Sequence, residues 1–219
     1  MSTQVNKIKM NSTLLRTAFI LSLITIVYNL IEGGISVFFG LSDATLALLG
    51  FGIDSFVEVL SGLGIAHMVL RMQKNEINSW DEFEKLALKI TGISFYILTA
   101  GLIFGSIVNI IQGIKPETTI PGIIVSIVSI ASMYALMTYK LKIGHGLNSD
   151  AIIADANCTR TCFNLSIILL VSSLLYTIFK ISYIDTAGSL GIAYFAFKEG
   201  RESIEKSSSD SIHCNCADD

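Results

Sequence analysis

The chain has 219 residues, 52% of them hydrophobic and only 15% charged, with a mean hydropathy of +0.64 and a formal net charge of −3. A soluble domain usually carries about 25% charged residues, and a nucleic-acid partner calls for a basic surface that a net negative chain without a basic arm does not offer. The composition describes an integral membrane protein that sits in a lipid bilayer.

Six apolar segments are candidates to span: Leu14–Phe39, Ala44–Leu70, Leu86–Ile114, Thr119–Leu141, Ala151–Lys180 and Ile184–Phe197. All but the last exceed the ~20 residues that a bilayer core requires. The sixth needs local thinning or polar neighbours. No small-residue cleavage site follows the first segment, so residues 1–13 are expected to form a cytoplasmic lead into a retained helix. Two prolines in the whole chain suit long uninterrupted helices.

Basic residues set the orientation. Lys7, Lys9, Arg16, Arg71, Lys74, Lys85, Lys89, Lys140, Lys142, Lys198, Arg201 and Lys206 fall on one side, and only Lys115 and Lys180 on the other. Both termini are therefore expected in the cytoplasm. The connections are short, which implies an all-α, six-transmembrane-helix bundle over residues 14–206 without an extramembrane domain. Trp80 is expected to mark the interface before the third helix. After Phe197 the stretch KEGRESIEK continues as a charged helix end. Residues 207–219, SSSDSIHCNCADD, lose all apolar periodicity and are expected to be disordered.

Ionisable groups at the centre of a membrane helix cost at least ~2.5–3.5 kcal/mol and by default mark function. Helix one carries Asn29 and Glu32, helix two Asp54 and Glu58, and helix five Asp155, Cys158, Arg160 and Cys162. Asp54 and Glu58 are four apart and share one helical face, as do Cys158 and Cys162. Both pairs fall at middle depth on helices that run antiparallel. Together they offer four side-chain ligands, the number a tetrahedral metal site takes. The plainer readings are an ion pair or proton relay for the acids, and small buried hydrophobes for the thiols.

Several stretches resemble the cation diffusion facilitator transporters. LLGFGIDSFVEVLSGLGIAHMVLR is similar to their second helix and SDAIIADANCTRTCFNLS to their fifth. YNLIEGGISVFFG resembles the first, and IDTAGSLGIAYFAFKEGRESIEKS the sixth and its exit. The resemblance covers roughly residues 14–206. It implies alternating-access exchange of a divalent metal for protons, with ligands at Asp54, Glu58, Cys158 and Cys162. It implies a transporter rather than an enzyme, with no permanent cofactor. Two departures stand out. The fifth-helix His-x-x-x-Asp pair of zinc-exporting relatives is here two cysteines. The C-terminal cytoplasmic domain of many relatives is also expected to be absent, so any homodimer must rely on membrane helices.

Thiolates favour soft and borderline metals, whereas carboxylates alone suit magnesium or manganese. The expected cargo is zinc or cadmium, with mercury, lead and copper(I) left open. Thiols release protons on binding metal, so the ligands themselves supply a proton antiport. Glu32 and Asp155 are read as lining the inner access route, with a helix-start carboxylate as the alternative for Asp155. Arg160 lies about 200° around the helix from each cysteine. It is read as a structural charge paired with Asp185, Glu32 or Asp155, the alternative being a field that favours the thiolates. His67 is out of phase with Glu58 and is read as an interfacial histidine. His213, Cys214 and Cys216 form a short soft-ligand cluster suited to metal capture. A non-transporting metal sensor and a membrane thiol redox protein are the competing functions, and a bacterial inner membrane is the expected location.

Overall fold

The computed structural model describes residues 2–74, 82–147, 149–181 and 183–208. Trp80 and the tail residues His213, Cys214 and Cys216 lie outside the described residues. The architecture is helical throughout the described residues, in the order α1 (Ser2–Ser42), α2 (Leu46–Lys74), α3 (Glu82–Gln112), α4 (Ile120–Leu147), α5 (Asp150–Phe179) and α6 (Tyr183–Ser208).

Five of these helices, α1 to α5, are long and apolar enough to cross a membrane by length and composition. The sixth falls short because its last third is charged, yet it packs inside the bundle through Gly188, Ser189, Ile192, Ala193 and Ala196. The N-terminal lead is itself helical, since α1 begins at Ser2, and the apolar span within that helix starts at Thr13. Likewise Ser207 and Ser208, expected in the disordered tail, still belong to α6.

The polarity of the bundle is inverted relative to a soluble protein. Ile97, Phe104, Ile111 and Ile178 are 68–78% exposed, while Asn29, Ser36, Ser126, Ser129, Ser166 and Ser189 are fully buried. With lipid as solvent, apolar side chains gain nothing by hiding, and helices associate through small residues and interhelical hydrogen bonds. Ser129 and Ser166 meet at 2.8 Å between α4 and α5, and Ser106 and Ser189 at 2.9 Å between α3 and α6.

Consecutive helices run antiparallel, and the closest partnerships are α1 with α2, α3 with α6 and α4 with α5. Helix α2 also meets α3, α5 and α6, which puts it at the centre. Close approach at the α1–α2 seam depends on Gly40, where a Cβ would lie 2.6 Å from the backbone nitrogen of Leu49. The turn out of α1 is tight. Thr45 N–H bonds back to Gly40 O at 2.9 Å, with Ala44 in the left-handed region at φ 52°. The chain reverses again beyond Gln112 and beyond Phe179, so α1 starts and α6 ends at the opposite end of the bundle. That end carries most of the basic residues, the side that the charge bias assigns to the cytoplasm.

Candidate functional site

Asp54 and Glu58 come from α2, and Cys158 and Cys162 from α5. Both pairs face the bundle interior. Asp54 is 2% and Cys162 4% exposed, while Glu58 and Cys158 are half-buried. Cys162 Sγ contacts Glu58 Oε1 and so joins the two helices. The other oxygen, Glu58 Oε2, accepts a hydrogen bond from Asn29 Nδ2 of α1 at 2.9 Å. An amide, a carboxyl and a thiol from three helices thus form one chain. Both cysteines are free thiols.

A cavity of about 40 Å³ adjoins this chain, bounded by Asn29, Glu58, Cys158 and Cys162. Towards the cytoplasmic end it is lined by Lys140, Asp155, Glu199 and Lys206. Asp54 does not line it, but lies one turn further from the cytoplasmic end, within electrostatic reach of Glu58 and Glu32. Among the described residues, no three His, Cys, Asp or Glu side chains are gathered at ligating separation. Of the four expected ligands, the structure brings Glu58 and Cys162 into contact and sets Cys158 beside them on the cavity wall.

Burying carboxyl groups in a membrane interior is costly unless a cation or a proton compensates. Acids, thiols and an amide around a small chamber therefore favour a cationic guest. One internal cation is already present. Lys140, 2% exposed, pairs with Asp155 at 2.9 Å and donates to Thr159 Oγ1 at 3.0 Å.

Other sequence-based expectations divide. Asp155 does line the inner cavity, more than one turn inside a helix whose N-cap is Ser149, so it is not a helix-start carboxylate. Glu32 does not line the inner route. It accepts hydrogen bonds from Tyr28 Oη at 2.8 Å and Ser55 Oγ at 3.3 Å, one turn beyond Asn29 on the non-cytoplasmic side. The reason is direction: α1 climbs away from the cytoplasm while α2 descends, which puts Glu32 level with Ser55.

Arg160 is exposed on α5 and is not the buried structural charge expected of it. Its three proposed partners are engaged elsewhere. Asp155 holds Lys140, Glu32 holds Tyr28 and Ser55, and Asp185 accepts from the backbone N–H groups of Leu46 at 2.9 Å and Ala47 at 3.3 Å. Asp185 is therefore a tertiary cap on the N-terminus of α2, where the helix dipole favours a carboxylate. His67 is half-buried within the last two turns of α2 and does not line the cavity.

Lys140 and Glu199 were read from the sequence only as flanking charges. The signal for Glu199 lay in α6, where it continues the buried face of Ile192 and Ala196 at helical spacing. Nothing local marks Lys140, which points inward from a helix otherwise poor in charge.

Residues 18–210 match the family domain described as the cation efflux transmembrane domain. The chain is also similar to a protein of Methanocaldococcus jannaschii described as an uncharacterized transporter. The two are 26% identical over 180 residues, which cover 80% of this chain and 63% of that relative. The chain thus spans less than two thirds of that relative's length. With a six-helix membrane bundle, acids and thiols meeting across α2 and α5, and a family match over nearly its whole length, the chain belongs to the cation efflux family through its transmembrane domain.

Proposed function

We propose that this protein exports a soft or borderline divalent metal ion, zinc or cadmium, in exchange for protons. The cargo is held by Asp54, Glu58, Cys158 and Cys162 between α2 and α5. The observation that carries this reading is the contact of Cys162 Sγ with Glu58 Oε1, which joins a thiol pair and a carboxyl pair across two helices beside a cavity on the cytoplasmic side.

Chemistry supplies the rest. The cargo enters from the cytoplasm past Asp155 and Glu199 and meets Glu58, Cys158 and Cys162, which shed protons as they ligate. Asp54 joins as the helices close around the ion. Opening to the other side exposes the loaded site to protons, which compete for the thiolates and release the metal. A thiol redox role is disfavoured, because the Cys162 thiol faces a carboxyl rather than its neighbour in sequence. A disulfide also demands a Cβ geometry that two cysteines four apart in an unbroken helix do not offer.

The test is metal flux into proteoliposomes under an imposed pH gradient, comparing zinc, cadmium, mercury and manganese. Flux of cadmium or zinc that follows the gradient and collapses in the double variant Cys158→Ser/Cys162→Ser is the expected result. Flux indifferent to the gradient overturns the antiport, and a preference for manganese overturns the thiolate site. Tight binding without flux would make the protein a sensor instead.

A further inference from the structure

Asn29 is fully buried and sits on the cavity wall beside Glu58 and Cys162. Its two amide atoms are used unequally. Nδ2 donates to Glu58 Oε2 at 2.9 Å, while Oδ1 is buried and finds no hydrogen-bond partner among the described residues. Buried polar atoms are nearly always satisfied, so an orphaned acceptor calls for an explanation. The amide is oriented with its N–H towards Glu58 Oε2. Oδ1 is thereby left without a donor, beside a chamber whose near walls carry Glu58, Cys158 and Cys162 and whose cytoplasmic end carries Lys140 and Lys206 with Asp155 and Glu199. An unpaired carbonyl oxygen beside that carboxyl and those thiols suits a cation and repels an anion.

We infer that Asn29 is a direct ligand of the transported metal, through its side-chain carbonyl, and that it favours cadmium and zinc over mercury. The inference rests on the metal-transport reading above and adds a third helix, α1, to the site. The specificity follows from ligand softness. Amide oxygens suit harder cations, and thiolates suit softer ones. Zinc and cadmium accept a mixed oxygen–sulfur set, whereas two thiolates suffice for mercury, so removing an oxygen ligand penalises the former. The bond from Nδ2 to Glu58 holds both oxygens in register, the role a supporting hydrogen bond plays at metal sites.

The experiment is equilibrium dialysis of cadmium and of mercury against the purified full chain in detergent, read as bound metal. Three variants are compared with wild type: Asn29→Leu, Asn29→Asp and Cys158→Ser/Cys162→Ser. Asn29→Leu should weaken cadmium by at least about tenfold and leave mercury nearly unchanged, with a wild-type circular-dichroism melt showing that the variant is folded. Asn29→Asp keeps an oxygen and loses the donor, and should retain cadmium binding far better than Asn29→Leu. Equal losses in both would mean that the amide acts only through its N–H on Glu58, overturning the ligand assignment. Unchanged cadmium binding in Asn29→Leu, or equal loss of cadmium and mercury, overturns it too. If wild type and the cysteine double variant bind the two metals alike, the transport site itself is misplaced, an outcome distinct from failure at Asn29.

Discussion

Lys140 and Asp155 face each other across the α4–α5 seam with 2.9 Å between ammonium and carboxylate. Their side chains are 3% and 13% exposed, so neither charge is solvated by the cytoplasm. Thr159 braces the pair by accepting from Lys140 Nζ at 3.0 Å and donating to the Asp155 carbonyl at 3.1 Å. The pair lines the cavity, where Lys140 supplies Asp155 with a positive charge that would otherwise have to come from cargo or protons.

Breaking this pair from one side should be costly, because it strands a buried charge. Lys140→Met or Asp155→Asn alone is expected to destabilise by about 3–5 kcal/mol, whereas the double substitution should recover most of the loss. Thermal unfolding of the three variants in detergent reads the coupling. A double variant no more stable than the worse single one would show that the charges are not mutually supporting.

Two helix ends make a matched comparison. Ala44 and Gly113 both adopt left-handed backbone, at φ 52° and 64°, and each is followed by a residue whose N–H reaches back across the last turn, Thr45 to Gly40 and Ile114 to Asn109. Glycine is the favoured residue at such a cap. Ala44→Gly should therefore raise stability and Gly113→Ala lower it, each by about 1 kcal/mol. The shifts in Tm should have opposite signs.

Glycine packing on α1 predicts a contrast along one helix. A Cβ at Gly40 would meet the backbone of Leu49 at 2.6–2.7 Å, whereas one at Gly34 would meet nothing within 4 Å. Gly40→Ala must push α2 away and should destabilise by about 1–3 kcal/mol. Gly34→Ala should be neutral or slightly stabilising through helix propensity. Equal effects at the two positions would contradict the close α1–α2 approach.

Cadmium affinity should rise with pH. Each thiol that must lose its proton to bind multiplies affinity about tenfold per pH unit while the pH lies below its titration point, ordinarily near 8.5. The sign follows directly: protons and metal compete for the same sulfur, so acid releases the cargo. Isothermal titration at several pH values should give a slope that flattens when Cys158 and Cys162 are replaced by serine. A slope unchanged in that variant would place the released protons on carboxyl groups instead.

What could be read from sequence was whatever depends on local geometry. Hydrophobic runs long enough for a bilayer, and too few charges for water, specified a helical membrane protein. Fixed helical periodicity put Asp54 with Glu58, and Cys158 with Cys162, on common faces. The sixth helix was legible only in part, because burial against α3 and α5 compensates for its low hydropathy and no local pattern reports that. Which faces meet, and at what depth, was decided by the tertiary structure alone. The glycine approaches and serine pairs between helices set the rotation of each helix about its axis. That rotation turned Asn29, Lys140 and Glu199 into the cavity, swung Arg160 out, and carried Asp185 to the start of α2. Each of these placements depends on residues distant in the chain, so no stretch of sequence around any one of them could have revealed it.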